Sequence, residues 1–289
     1  MTIDHYCVMG NPISHSRSPW IHTRFAELTG QQLSYDRREI PLDHFDRSIE
    51  AFIREGGLGC NITVPFKFEA AKVATQTSER GLLAQACNTL SFKDGQIFGD
   101  NTDGIGQIFG DNTDGIGLVD DIERNAGLPL KGLRVLLIGA GGASAGVLGP
   151  LLQAGPAHIS VANRTLHKAS DLVARHAALA AQTRTELQAH TLHGLGDPFD
   201  VVINGTATSL NGVAVPVAAR VLKRGALAYD MMYGPGAQGF MDWAQAHGAQ
   251  PRDGLGMLVE QAAEAFLIWR GVRPPSGQVL DELRKVMQG

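Results

Sequence analysis

Residues 133–144, Leu133-Arg134-Val135-Leu136-Leu137-Ile138-Gly139-Ala140-Gly141-Gly142-Ala143-Ser144, decide how the chain is read. The unbroken apolar run from Leu133 to Ile138 is the pattern of a strand buried on both faces. Gly139 then permits a tight turn, and Gly141 lets backbone N–H groups approach a pyrophosphate. The helix that opens behind them favours an anion at its N-terminus. Ser144 holds the place of a third glycine, so the match is GxGxxS. By itself such a turn also serves packing; between a buried strand and a helix it reads as a dinucleotide site over Gly139, Ala140, Gly141, Gly142, Ala143 and Ser144.

Outward from this turn the chain alternates. His158 to Ala162, Phe199 to Ile203 and Ala226 to Tyr229 read as further strands, separated by helix-length stretches, which implies βαβ units and a parallel sheet. The second strand ends in Asn163-Arg164-Thr165-Leu166-His167-Lys168. A site for NAD offers a carboxylate here; this chain offers the cations Arg164 and Lys168 instead. That choice fits the 2′-phosphate of NADP, the alternative being a solvated basic turn.

The first hundred residues alternate too. Tyr6 to Met9 and Gly59 to Val64 read as strands, Pro19 to Thr29 and Pro65 to Ala74 as helices opening on proline. Leu90 to Phe92 and Ile97-Phe98 read as a hairpin through Asp94-Gly95. Leu258 to Trp269 is a helix by its apolar spacing, and Pro274-Pro275 precedes a last short one. The expected fold is α/β with two α/β domains. The first has a mostly parallel sheet and spans residues 1–114 and 254–289, its last helices returning after the Rossmann-type domain of residues 115–253.

Composition narrows the function. Hydrophobic residues make up 44% and charged residues 19%, so the chain is neither disordered nor fibrous. A formal charge of −4 argues against a nucleic-acid or membrane-surface partner. Cys7, Cys60 and Cys87 are odd in number and widely spaced, which fits neither a disulfide scaffold nor a zinc site, and no histidine spacing suggests a metal. The first residues show no signal peptide, and no apolar run reaches membrane-span length, so a cytoplasmic protein acting on a small molecule, a monomer or homodimer, is expected.

Two further segments bear on chemistry. In Asn61-Ile62-Thr63-Val64-Pro65-Phe66-Lys67 the lysine falls in a helix's opening turn, where the helix dipole disfavours a cation. This is a poor place for a merely structural lysine and a usable one for proton transfer. Residues 96–106 (QIFGDNTDGIG) recur unchanged at 107–117. One identical loop-type copy is not a solenoid repeat, and it reads as a recent duplication.

These segments together resemble the shikimate dehydrogenase family of the NADP-dependent type. The resemblance is carried by Gly10 to Pro19 (GNPISHSRSP), NITVPFK, Cys87-Asn88-Thr89-Leu90, GDNTDG, GAGGAS, NRTLHK, Asp230-Met231-Met232-Tyr233 and Asp253 to Gln261. It implies reversible NADPH-dependent reduction of 3-dehydroshikimate to shikimate, in aromatic amino-acid biosynthesis. It assigns Ser16 and Ser18 to the substrate carboxylate, although serines there also suit a helix cap. It assigns Thr63, Asn88, Tyr233 and Gln261 to other substrate contacts and Lys67 to catalysis. Glu79, Met231 and Gly254 match positions near the nicotinamide. The lysine's aspartate partner is Asp103 or Asp114. The Asp94-Gly95 turn favours Asp103. Taking residues 108–114 as the return strand keeps strand, site and helix together and favours Asp114, the choice made here. The alternatives are an NAD-dependent quinate/shikimate dehydrogenase, or a relative impaired by the duplication.

Overall fold

A computed structural model describes residues 3–92, 107–206 and 215–288. It divides into two compact units, residues 1–117 with 259–289, and residues 118–258.

The first unit holds strands β1 (Asp4–Gly10), β2 (Leu33–Glu39), β3 (Gly57–Ile62), β4 (Gln76–Thr77), β5 (Thr89–Phe92) and β6 (Ile108–Asp111), in the order β2-β1-β3-β5-β6-β4. The pairs β1–β2, β1–β3 and β4–β6 are parallel; β3–β5 and β5–β6 are antiparallel. Helices α1 (Ser18–Thr29), α2 (Phe45–Arg54), α3 (Lys67–Val73) and α4 (Glu79–Ala84) separate the strands. Side-chain alternation along β1 fills two cores. Cys7 and Met9 pack with Phe45, Ile49, Phe52, Phe66 and Leu90, while Tyr6 and Val8 pack with Ile13 and Tyr35.

The second unit holds β7 (Arg134–Ile138), β8 (His158–Asn163), β9 (Glu186–Thr191), β10 (Phe199–Asn204), β11 (Leu222–Asp230) and β12 (Gln250–Arg252). Every pairing is parallel and the order is β12-β11-β10-β7-β8-β9. Numbered within the unit, this is 6-5-4-1-2-3, the doubly wound dinucleotide-binding order. Val135, Leu136, Leu137 and Ile138 are all fully buried, as a central parallel strand requires. Helices α6 (Gly142–Gln153), α7 (Leu166–Thr183) and α8 (Gln238–Ala246) connect the strands. Helices α5 (Asp114–Asp120) and α9 (Leu255–Arg270) run across the unit divisions, and α5 continues as a π-helical turn over Asp121–Asn125.

Two expectations need correcting, and one lies outside the described residues. Pro65 does not open a helix: residues 63–66 form a turn closed by the Phe66 N–H on the Thr63 carbonyl (3.0 Å), so Lys67 is the first residue of α3. Ile97-Phe98 lies outside the described residues; the described strand that pairs with β5 as a hairpin partner is β6, from the second repeat copy, in keeping with the choice of residues 108–114 as the return strand. The last helix, α10 (Ser276–Gln288), is 13 residues long rather than short.

His22 lies fully buried on α1, stacked on Tyr35 with centroids 4.1 Å apart and planes within 3°. Burial lowers its pKa to about 3. The unfolded chain therefore takes up a proton below about pH 6.5 that the folded chain refuses, so stability falls as pH drops through that window. Between pH 7 and pH 5 this share amounts to about 2 kcal/mol. His22→Leu is expected to remove that part of the pH slope in urea unfolding, and an unchanged slope would show that His22 does not titrate this way.

Candidate active site and cofactor turn

In the first unit the polar residues gather where β3 and β6 end and β5 begins. Lys67, at the start of α3, donates to Asp114 Oδ2. The other carboxylate oxygen, Oδ1, accepts from Asn88 Nδ2 at 2.7 Å. Asn88 Oδ1 accepts from the Thr113 N–H (2.9 Å), the Thr113 hydroxyl (3.1 Å) and the Thr89 hydroxyl (3.0 Å). Gln261, on α9, brings Oε1 to 3.4 Å from Asn88 Nδ2. Asp114 answers the dipole problem of a lysine at a helix start. The result is a partly buried ammonium and carboxylate, both oriented, beside amides able to bind ring hydroxyls.

The loop carrying Asp114 is braced from behind. The buried Asp111 carboxylate accepts from Arg80 Nε (2.7 Å), Arg80 Nη2 (2.5 Å), the Ser78 hydroxyl (2.5 Å) and the Asn112 N–H (2.7 Å). Asn112 Oδ1 then accepts from the Asp114 N–H at 3.2 Å. Burial and this carboxylate push the neighbouring Cys87 thiol up to about 12, so Cys87 is a protonated packing group. Asp103, the other aspartate considered, lies outside the described residues.

The remaining positions are placed as follows. Ser16 Oγ accepts from the Ser18 N–H at 3.3 Å just before α1, but the N-cap position is Arg17 and no side chain caps it, so neither serine is the cap. Arg37 holds this loop through the Ser16 carbonyl, at 2.9 Å from Nε and 2.7 Å from Nη2. Thr63 is half-buried, just beyond β3. Glu79 begins α4 and is exposed. Met231 and Tyr233 follow β11 in the second unit.

The second unit's turn meets the needs of a dinucleotide. Gly139 has φ 109°, a value that only glycine adopts readily. Gly141 has ordinary backbone angles, and among the described residues, its chain neighbours aside, no atom lies within 4 Å of where its Cβ would stand. Packing among the described residues therefore does not require glycine at 141; the open space lies at the N-terminus of α6, where the N-cap makes no side-chain hydrogen bond. Ser144 fills the third-glycine place, and its fully buried hydroxyl has no hydrogen-bond partner among the described residues. At the end of β8, Arg164 and Lys168 are exposed beside the first turn of α7, which has no acidic residue. A phosphate there would offset cations that the helix dipole disfavours. These residues fit a 2′-phosphorylated dinucleotide.

Sequence reading missed one assembly here. Asp121, fully buried in the π-helical turn, accepts from the Tyr229 hydroxyl (2.8 Å), Arg252 Nε (2.8 Å) and Arg252 Nη2 (2.6 Å). It fixes the strand end that carries Gly254, whose N–H donates to the Met232 carbonyl at 2.8 Å. Only the glycine next to it could have signalled the site, since a Cβ on Gly256 would stand 1.8 Å from Asp121 Oδ1.

Three family models match the chain in order. They describe a shikimate dehydrogenase substrate binding domain over residues 8–90, a shikimate/quinate 5-dehydrogenase over 122–231, and a shikimate 5′-dehydrogenase C-terminal domain over 254–284. The chain belongs to the shikimate dehydrogenase family. A shikimate dehydrogenase (NADP(+)) of Acidovorax sp. (strain JS42) is 64% identical, covering 97% of this chain and 96% of that protein. The crystal structure of an Ael1 enzyme from Pseudomonas putida is 45% identical with a TM-score of 0.85, covering 97% of this chain and 98% of that one. The shikimate 5-dehydrogenase of Thermus thermophilus, solved with NADP(H) and shikimate, is 27% identical with a TM-score of 0.78, covering 98% and 99%.

Gly256→Ala is expected to destabilise the second unit by about 3 kcal/mol, because it must displace a buried, fully bonded carboxylate. Urea unfolding measures this; a loss under about 0.5 kcal/mol, the range of a neutral surface change, would show that the close approach is dispensable.

Proposed function

We propose that this chain catalyses the reversible NADPH-dependent reduction of 3-dehydroshikimate to shikimate, in cytoplasmic aromatic amino-acid biosynthesis. The observation that carries this reading is the Lys67–Asp114 pair held by Asn88. When bound, NADPH supplies the hydride that reduces the ketone. Gly139 to Ser144 hold its pyrophosphate, and Asn163, Arg164, Thr165 and Lys168 hold the 2′-phosphate. Met231, Gly254 and Glu79 belong to the nicotinamide end. Lys67 donates a proton to the oxygen of the ketone as it becomes an alkoxide, and takes it back in the reverse direction. Asp114 anchors the ammonium and a ring hydroxyl. Asn88, Gln261, Thr63 and Tyr233 bind the rest of the ring, and Ser16 and Ser18 bind the carboxylate.

Both alternatives fare worse. A carboxylate for the ribose of NAD is missing from the Asn163-Arg164-Thr165 turn. An impaired relative would be expected to have its aspartate displaced by the duplication, yet Asp114 meets Lys67.

With shikimate and NADP⁺, Lys67→Ala is expected to lower kcat by about 10²- to 10⁴-fold while NADP⁺ still binds. Asp114→Asn should be severely impaired and Asp103→Asn mildly. Near-normal turnover of the lysine variant would remove Lys67 from the reaction, and a severe loss in Asp103→Asn alone would move the site to the first copy.

Replacing Arg164 and Lys168 with glutamine is expected to raise KM for NADP⁺ about tenfold or more and to leave KM for NAD⁺ nearly unchanged, since charged hydrogen bonds to the 2′-phosphate are lost only with NADP⁺. Equal losses with both nucleotides would reject the assignment.

A further inference from the structure

We infer that Tyr35, a residue outside every motif, positions the Asp114 carboxylate through a one-way chain of hydrogen bonds across the first unit's sheet; this rests on the assignment of Asn88 and Asp114 to the substrate site. The chain begins on β2. The Tyr35 hydroxyl lies 2.6 Å from Asn61 Oδ1. On β3, Asn61 Nδ2 donates to Thr89 Oγ1 (3.0 Å) and to the Asn88 carbonyl (3.3 Å). On β5, the Thr89 hydroxyl donates to Asn88 Oδ1 at 3.0 Å. Asn88 Nδ2 then donates to Asp114 Oδ1 at 2.7 Å. Tyr35, Asn61, Thr89, Asn88 and Asp114 are all buried.

Each direction is forced by what the atoms can do. The Asn88 carbonyl only accepts, so the NH₂ of Asn61 must face it. The Asn61 oxygen then faces Tyr35, which makes the phenol the donor. Thr89 Oγ1, already accepting from Asn61, has its one proton free for Asn88 Oδ1. The Thr113 N–H, which only donates, also requires an oxygen at that position. The Asn88 NH₂ is therefore turned toward Asp114, whose Oδ1 accepts. In a buried chain the bonds polarise one another, so loss of the first should be felt at the last.

A ring of other groups confines Tyr35. His22 stacks on one face of it, and Trp269 lies 6.2 Å away, centroid to centroid. The Tyr35–His22 contact is a ring stack, and the His22 imidazole also neighbours the Asn61 side chain. The Tyr35 hydroxyl also neighbours the Ser18 side chain, and its bond to Asn61 is the one that leads toward Asp114.

The test uses the whole enzyme oxidising shikimate with NADP⁺. Tyr35→Phe and Thr89→Val are each expected to lower kcat about 3- to 10-fold, the range of one buried hydrogen bond, with KM for NADP⁺ unchanged. Thr89→Ser, which keeps the hydroxyl, should recover most of the rate. In an Asn88→Ala background, Tyr35→Phe should have no further effect, because its influence passes through Asn88. A structural role alone would leave the losses multiplying in the double variant, and that result would overturn the proposal. So would wild-type kcat in both Tyr35→Phe and Thr89→Val when Asn88→Ala is impaired. Wild-type kinetics in Asn88→Ala would overturn the site assignment and the chain together. Should Tyr35→Phe fail to fold, Asn61→Leu, which breaks the link from Tyr35 to Thr89, takes its place in the same comparison, alone and in the Asn88→Ala background.

Discussion

The Asn88 side-chain amide is the point on which the first unit's polar interior depends. Its oxygen gathers a backbone N–H and two hydroxyls, and its nitrogen holds Asp114. Its own backbone is fixed as firmly: the Asn88 N–H donates to the Asp111 carbonyl at 2.9 Å, and the Asn88 carbonyl accepts from the Ile62 N–H at 2.8 Å. One residue thus ties β3, β5, β6 and the start of α5 together. A buried amide left half-bonded would cost about 1–3 kcal/mol, so every partner is constrained by the others. Rigidity and chemistry share one cause here. The groups that must be satisfied because they are buried are also those that hold Lys67 and Asp114 in fixed relation.

The second unit obeys a different rule, that of close approach. Gly205 donates its N–H to the Ile138 carbonyl at 2.8 Å, and a Cβ on it would stand 2.6 Å from Ser144 Oγ. A Cβ on Gly254 would stand 2.3 Å from the Met231 carbonyl oxygen. Here absent side chains, rather than bonded ones, let the ends of β7, β10 and β11 approach closely. Gly141 differs from these: its missing side chain leaves space open instead of being filled by the protein.

Much of this could be read from the sequence because it is local. The apolar run at β7 and the glycine turn behind it fix a buried strand, a turn and a helix within a dozen residues. The doubly wound order then comes from repetition of the same unit. Lys67, Asn88 and Gln261 could be named because they sit in long motifs. What escaped was non-local. Arg80 and Asp111 are 31 positions apart, and Arg252 and Asp121 are 131 apart. Nothing in either neighbourhood announces the other charge. Tyr35 escaped for the same reason, since a tyrosine on a strand reads as core until its hydroxyl is found bonded to Asn61. The turn at residues 63–66 escaped because Pro65 fits a helix start in isolation.

The duplication shows how far local sequence can decide anything. The two copies are identical, so no propensity within them can choose which becomes β6. The choice lies in the residues C-terminal to each copy. After the first copy the chain reads Gln107-Ile108-Phe109-Gly110, a strand pattern interrupted by glycine; after the second it reads Leu118-Val119-Asp120-Asp121-Ile122. Only the second can carry a helix onward from its Asp-Gly, and α5 with its π-helical turn is that continuation. Leu118 and Ile122 are fully buried along it. Residues 93–107 are left to connect β5 with β6, and lengthening such a connection is inexpensive, about 0.6 kcal/mol for each doubling. Shifting α5 by the length of one copy would instead forfeit the burial of Leu118 and Ile122 and the bonds to Asp121. Each fully buried aliphatic side chain contributes about 1.5–3 kcal/mol, so these two alone outweigh the longer connection. The second copy takes the strand because the helix behind it cannot be moved.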